Sequence, residues 1–425
     1  MLLSFRFANY RSFQAEQQLN LLPVYDSDYP GSDQLVEPVP VVAIFGPNAS
    51  GKSNLIDAFT YMCNFVGRSD REVEPGLELS RLAIKRRSFK LDPVVAGEPS
   101  SFVVDLLLQG VRYTYGFILN DSAVLEEWLY SYPKRRRRVV FQRHSDDFVF
   151  GEESGQSSIT EITGIVAPTA LLLSVVARFG RFDSREASEG FDETYKLMHS
   201  VYSWLYLGLA RPPATRSAPF APLAKRWIRD PRKRVIITDL LRAADVGLRD
   251  VELRQPDQVS ELELSFSHYG AAENVWLDIE DESSGTIRLL ELAARAVAAI
   301  DEGGIFLVDE IDASLHPLLT AKIIGLFQSK TVNRNGSQLI FTSHDPTLLG
   351  MLDGQEVLRR DEIWFVEKAS DGSSHLYPLT EFKPRRQGEN RVRRYLNGSY
   401  GAIPELSMEL FRSALVSREQ GYVAE

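Results

Sequence analysis

Gly46-Pro47-Asn48-Ala49-Ser50-Gly51-Lys52-Ser53 directly follows the apolar run Val41 to Phe45 and directly precedes the helical pattern Asn54-Leu55-Ile56-Asp57-Ala58-Phe59. A Gly-rich loop between strand and helix turns several backbone N–H groups toward one point, where they surround phosphate oxygens at the positive end of a helix. In this spelling the lysine reaches the β- and γ-phosphates and the next hydroxyl takes a place on Mg²⁺, tasks that fall to Lys52 and Ser53. A plain Gly/Ser turn between core elements does not need the Gly-Lys-Ser ending. Gly46, Pro47, Asn48, Ala49, Ser50, Gly51, Lys52 and Ser53, with Asn54 at the helix start, are therefore the expected nucleotide contacts.

Composition narrows the field only a little. The chain has 425 residues, 44% hydrophobic and 25% charged, which suits a globular protein able to bury a core. Its one cysteine, Cys63, excludes a disulfide framework and a cysteine metal cluster and points to a reducing compartment. The start Met-Leu-Leu-Ser-Phe-Arg-Phe lacks the order of a signal peptide, and no apolar run approaches the ~18 residues of a membrane span. A cytoplasmic protein without a membrane partner is expected.

A net charge of −10 argues against a surface that is basic all over. Basic clusters nevertheless occur at Lys134 to Arg138 with Arg143, at Lys85 to Arg87, at Lys225 to Arg234 and at Lys383 to Arg394. Each suits either a solvated loop or contact with a phosphate backbone. Arg135 to Arg138 sits between Trp128-Leu129-Tyr130 and Val139-Val140-Phe141, so it reads as a β-hairpin turn whose cations equally suit edge protection.

Along the chain, Leu3, Phe5 and Phe7, then Leu19 to Leu22, then Val41 to Phe45 read as strands leading into the loop, with a loop at Asp26 to Pro40. Residues 54 to 67 form the helix behind it. Between 100 and 150 a meander of antiparallel strands is expected, from Phe102–Leu108, Arg112–Leu119, Ala123–Tyr132 and Arg137–Phe141 with turn signals between them. From 168 to 247 the pattern is helical, but prolines at 212, 213, 219, 222 and 231 divide it into short helices. Strands at Val251–Leu253, Leu262–Phe266 and Val275–Ile279 precede a strand and helix alternation that runs to about residue 366. The expected division is 1–167, 168–247 and 248–425.

Four motifs follow the loop in order. Glu282-Ser283-Ser284-Gly285-Thr286 opens the helical stripe Ile287 to Ile300, and such a start offers N–H groups and hydroxyls to an anion or is an ordinary cap. Gly304-Ile305-Phe306-Leu307-Val308-Asp309-Glu310 is a buried strand ending in two acids, which a parallel sheet would deliver beside the phosphate loop. Asp309 suits Mg²⁺ coordination, and Glu310 suits orienting or deprotonating an attacking water. Ile311-Asp312-Ala313-Ser314-Leu315-His316-Pro317 comes next. Gln338-Leu339-Ile340-Phe341-Thr342-Ser343-His344 is a second buried strand, and its terminal imidazole is placed to hydrogen-bond the γ-phosphate or the lytic water.

In this order the motifs resemble the ABC-type ATPase heads of the RecF, SMC and OLD families. Phe7-Ala8-Asn9-Tyr10-Arg11-Ser12-Phe13 is similar to their opening strand and turn. The likeness is nearest to the stand-alone OLD-like bacterial ATPases of the RloA and AbiL type, including the ending Arg394-Tyr395-Leu396-Asn397-Gly398-Ser399-Tyr400-Gly401-Ala402-Ile403-Pro404. The resemblance implies an α/β ABC-type P-loop head with an antiparallel β subdomain and an inserted helical subdomain. It makes Lys52 and Ser53 the Walker A pair, Asp309 and Glu310 the Walker B pair, Ala313 to His316 the D-loop, and His344 the switch histidine. Ser283, Ser284 and Gly285 become a signature acting in trans, which departs from the Leu-Ser-Gly-Gly-Gln of transporters, and Arg11 a turn arginine near the nucleotide. No Q-loop glutamine stands out, since Gln109 and Gln142 both lie in the β-rich region.

The implied cofactors are ATP and Mg²⁺. The implied assembly is a head-to-tail homodimer or higher homo-oligomer, and the implied role is control of a separately encoded effector, a toxin or nuclease, in anti-phage defence. A RecF-like DNA repair ATPase and a scaffold with ATP as structural glue are the alternatives. Nucleic acid is a possible partner through Lys383 to Arg394 and Tyr395.

Overall fold

The computed structural model describes residues 1–25, 37–70, 86–151, 159, 162–179, 193–210, 221–244, 247–255, 262–270, 275–385, 388–404, 408 and 412–413. Most of the loop expected at 26 to 40, Lys85, Arg386 and the prolines at 212, 213 and 219 lie outside these residues.

Two large sheets organise the chain, and both use strands from its beginning. β1 (Leu2–Ala8) and β2 (Gln17–Asn20) do not join β3 (Val41–Phe45), the strand before the phosphate loop. They pair instead with the meander β4 (Ser100–Leu108), β5 (Val111–Leu119), β6 (Val124–Tyr132), β7 (Arg138–His144) and β8 (Asp147–Phe150). The result is a seven-stranded antiparallel sheet in the order β2-β1-β4-β5-β6-β7-β8.

The second sheet holds β9 (Leu209–Ala210), β13 (Ile305–Val308), β14 (Gln338–Thr342), β17 (Ile363–Lys368) and β18 (Ser374–Pro378) around β3, in the order β18-β17-β3-β14-β13-β9. All neighbours are parallel except β18, which pairs antiparallel with β17. Between β9 and β13 in sequence, β10 (Leu248–Arg254), β11 (Glu263–His268) and β12 (Leu277–Asp278) make a small antiparallel sheet, and between β14 and β17, β15 (Met351–Leu352) with β16 (Gln355–Glu356) makes a short hairpin. The strand expected at Val275–Ile279 is thus only two residues long, and a 3₁₀ turn at Ile279–Asp281 replaces its end.

Alternation along β3 shows why the parallel sheet reads as unbroken apolar runs. Val42 and Ile44 belong to one hydrophobic core, while Val41, Ala43 and Phe45 belong to the other. Both faces are covered, as parallel sheets require. The first core is filled by α1 (Lys52–Arg68), whose Leu55, Phe59, Met62 and Val66 recur at helical spacing and lie against the antiparallel sheet. Phe59 meets Phe5 edge to face at 5.0 Å. The short helix α2 (Pro93–Gly97) buries none of its residues, while α3 (Leu172–Phe179) and α4 (Glu193–Leu207) complete that side.

The second core is closed by α5 (Ala221–Ile228), α6 (Pro231–Ala243), α7 (Ser284–Glu302) and α8 (Pro317–Gln328), with α9 (Arg391–Leu396) at the edge. Asp230 stops the chain between α5 and α6. Its carboxylate accepts from the Arg232 and Lys233 N–H groups, and Pro231 takes the first helical position. No helix among the described residues is long and apolar enough to cross a membrane.

Candidate functional site

Because β3, β14, β13 and β17 run parallel, their carboxyl ends share one rim, and the phosphate loop, the two acids and His344 follow the ends of β3, β13 and β14. β3 leads into Gly46–Gly51, which turns directly into α1. Two glycines make that turn possible. Gly46 (φ +156) lies so close to the Val366 carbonyl that a Cβ would collide with it, and a Cβ on Gly51 (φ +116) would stand 2.5 Å from Ser374 Oγ. Ala49 also takes a left-handed conformation, at φ 62.

Gly51 is the N-cap of α1 and offers no side chain to its free N–H groups. Lys52, 5% exposed, folds back so that Nζ donates to Gly46 O at 2.8 Å and Pro47 O at 3.0 Å. Burial lowers its pKa to about 8, opposed by the negative charges of Asp309, Glu310 and Asp312.

The acids reach the loop from β13. Asp309 Oδ1 accepts from Ser53 Oγ at 3.1 Å and from Thr342 Oγ1 at 2.6 Å. Glu310 is left-handed at φ 53, and its N–H donates to Thr342 Oγ1 at 2.8 Å. From β14, the next strand toward the loop, His344 emerges exposed, with its N–H 3.4 Å from Asp312 Oδ2. His316 caps α8, its Nδ1 accepting from the Leu318 N–H, so this ring carries its proton on Nε2 when neutral.

Arg11, left-handed at φ 51, is turned onto the first turns of α1. Its Nε lies 2.5 Å from Asp57 Oδ2 and its Nη1 3.4 Å from Asn54 Oδ1. Asp57 also takes the Tyr10 hydroxyl at 2.6 Å and Arg87 Nη1 at 3.5 Å. Asn54 Nδ2 in turn donates to Ser12 Oγ at 2.7 Å.

Ser283, Ser284 and Gly285 lie elsewhere. Ser283 is the N-cap of α7, its Oγ accepting from the Thr286 N–H at 3.0 Å, and Ser283 and Ser284 are exposed. No hydrogen bond among the described residues joins them to Gly46–Ser53. Gly285 faces the Ser314 carbonyl of the same chain. One turn further along α7, Arg288 Nη2 reaches the carbonyls of Asp309 and Glu310, each at 3.4 Å.

Three residues of this rim have a part that the sequence did not assign to them. Thr342 touches both acids. Ser374, on β18, donates to Ser50 O at 2.5 Å and stands 2.8 Å from Ser12 Oγ, while its N–H donates to Ser12 O. Arg288 looks like one more surface cation of a helix. Each is recognisable only once strands far apart in sequence are neighbours.

The residues present fit a nucleoside triphosphate with a divalent cation. A loop with no room for side chains at Gly46 and Gly51 suits close approach of its backbone to a phosphate, and the buried Ser50 Oγ has no partner among the described residues. A hydroxyl and a carboxylate, Ser53 and Asp309, are the hard oxygen donors that Mg²⁺ takes.

A family model described as "AAA domain, putative AbiEii toxin, Type IV TA system" matches residues 41–350. No curated protein matches the chain. Among solved structures it is similar to the SMC head domain from Thermotoga maritima, at 15% identity and TM-score 0.41, over 89% of this chain and 98% of that one. It is also similar to the SmcHead bound to the C-winged helix domain of ScpA, at 16% identity and TM-score 0.42, over 90% and 99%. A third is the Smc head domain with an extended coiled coil bound to the C-terminal domain of ScpA derived from Pyrococcus furiosus, at 14% identity and TM-score 0.41, over 90% and 97%.

Proposed function

The chain belongs to the AAA-domain family described as putative AbiEii toxin, type IV TA system, and from that premise we propose that it is a Mg²⁺-dependent ATPase switch that closes head-to-tail around ATP. Its fold is an α/β P-loop ATPase head of ABC type, and the family implies nucleotide binding. One observation carries the reading: Ser53 of the loop and Asp309 of the second strand end share a hydrogen bond, and Lys52 lies within reach of the charges of Asp309 and Glu310.

In this reading Gly46 to Asn54 and Arg11 bind and orient the nucleotide. Ser53 and Asp309 hold Mg²⁺, which when bound neutralises charge on the β- and γ-oxygens. Lys52 adds a buried cation to the same oxygens. Glu310 orients the attacking water and takes its proton, and His344 hydrogen-bonds the γ-phosphate side. Ser283 and Ser284, exposed at the start of α7, and the half-buried Gly285 serve the nucleotide of a second copy. Hydrolysis then removes the shared contact and separates the copies.

The resemblance to stand-alone OLD-like defence ATPases supports the purpose, which is control of a separately encoded toxin or nuclease. Residues 1–167 and 248–425 act as the two lobes of the head, and 168–247, whose helices also fill both cores, offers a partner or sensor surface on its exposed side. Glu310→Gln is expected to keep ATP binding and to slow turnover by about 10²–10⁴-fold. Wild-type turnover in that variant would remove Glu310 as the base. Lys52→Ala should abolish binding of a fluorescent ATP analogue.

A second reading, a DNA repair ATPase, is favoured by the turn between β6 and β7. Lys134, Arg135, Arg136 and Arg137 are exposed and make no ion pair among the described residues, and the Arg137 guanidinium lies 4.3 Å above the Tyr130 ring. Both strands are paired on their far sides, with β5 and β8, which weakens edge protection as the reason for these charges. ATP-dependent duplex binding that weakens steeply between 50 and 200 mM salt, on the order of 10³-fold, would favour this reading.

A further inference from the structure

We infer that Thr342 is a positioning residue that sets both acids of the site through one buried hydroxyl. The inference rests on the ATPase reading above and deepens it, since neither the motif pattern nor the resemblance assigns this side chain a task. Thr342 ends β14, the strand between the phosphate-loop strand and the acid-bearing strand, and it is 0% exposed. Its Oγ1 makes two hydrogen bonds of opposite sense. It donates to Asp309 Oδ1 at 2.6 Å and accepts from the Glu310 N–H at 2.8 Å.

A hydroxyl has one proton and two lone pairs, so this pair of bonds uses the group in its only consistent orientation: the proton goes to the carboxylate and a lone pair meets the amide. The two bonds do different work. The first fixes the Asp309 carboxylate, whose same oxygen also accepts from Ser53 Oγ. The second holds the backbone at Glu310, which adopts φ 53, a conformation that non-glycine residues keep only where the surroundings over-determine it. The adjacent Ile311 N–H donates to the Thr342 carbonyl at 3.0 Å, so residues 310 and 311 are both fastened to one residue of β14. The side chain of Glu310 leaves the backbone at that fastened point. Releasing it would let the carboxylate swing while leaving the phosphate loop in place.

The consequence is a division of labour. Nucleotide affinity resides in Gly46 to Ser53, whereas the placement of Asp309 and Glu310 depends on β14. His344, two residues beyond Thr342, leaves the same strand end, so a shift of β14 along its axis would move the acids and the imidazole together.

The test compares Thr342→Val, which keeps the shape and removes the hydroxyl, with Thr342→Ser, which keeps the hydroxyl and removes the methyl. Expected for Thr342→Val is a kcat lowered at least tenfold with KM for ATP within about threefold of wild type. Binding of a fluorescent ATP analogue should be unchanged in EDTA, while the Mg²⁺ concentration giving half of the metal-dependent gain rises severalfold. Thr342→Ser should restore both quantities to within about threefold. Thr342→Val with wild-type kcat and Mg²⁺ dependence would overturn the inference, as would Thr342→Ser failing as badly as Thr342→Val, which would assign the effect to packing of the methyl. A wild-type protein that binds ATP without hydrolysing it would sink the ATPase reading instead, and the Mg²⁺ titration of binding would still decide whether Thr342 sets Asp309.

Discussion

Lys52 is the residue at which the charge of the loop is most open to measurement. Burial holds its pKa near 8, against 10.5 for an ordinary lysine, although Asp309, Glu310 and Asp312 pull the other way. The folded value lies below the unfolded one, so this group makes the free protein more stable as pH rises from about 8 to 10.5. A bound triphosphate favours the charged form, and binding above pH about 8 must therefore take up a proton. Affinity for an ATP analogue is expected to fall by up to about tenfold per pH unit between pH 8 and 10, which a fluorescence titration at pH 7 and 9.5 checks. A flat profile would mean that Lys52 stays charged without phosphate. Residues such as Lys52, Asp309 and Glu310 were legible because their types recur at the ends of apolar runs. Thr342 and Ser374 were not, because a hydroxyl that meets an acid 33 positions away, or a serine 362 positions away, leaves no local pattern.

Elements were legible in proportion to how far their own residues determine them. β3, β13 and β14 are buried on both faces, so each is a continuous apolar run, and a glycine-rich loop after β3 announces α1. The partners of β1 and β2 were less legible, since alternation identifies a strand but not the sheet it joins. The 3₁₀ turn Arg360–Glu362 before β17 was hidden entirely: Asp361-Glu362 looks like surface, yet Glu362 is fully buried. Its Oε2 accepts from Gln328 Nε2 at 2.8 Å and from the Arg359 N–H at 2.7 Å. Burial pushes its pKa up to about 7, against 4.5 when exposed. The fold thus keeps a proton that the unfolded chain releases, and stability falls as pH rises from about 4.5 to 7, by about 3 kcal/mol in all. Glu362→Gln should be more stable than wild type in urea at pH 8 by an amount of that order, with the advantage shrinking toward pH 5. An advantage equal at both pH values would refute the buried-carboxyl account.

At the scale of the whole molecule, the decisive feature is a separation. The phosphate loop and the acids meet within one chain, while Ser283 to Gly285 open α7 and, among the described residues, make no hydrogen bond to that chain's own loop. The α/β class of the fold followed from the motif order. The proposed assembly does not follow from one chain, because its contacts would lie on surfaces that a single copy leaves exposed. The central claim is that ATP joins two such surfaces, and Glu310→Gln, which should bind without turnover, is the protein in which to test it. Light scattering of that variant with ATP and Mg²⁺ should give twice the chain mass of 47.9 kDa, and without nucleotide or with Lys52→Ala added, the single mass. A saturated, ATP-bound Glu310→Gln that remains at the single mass would contradict the account.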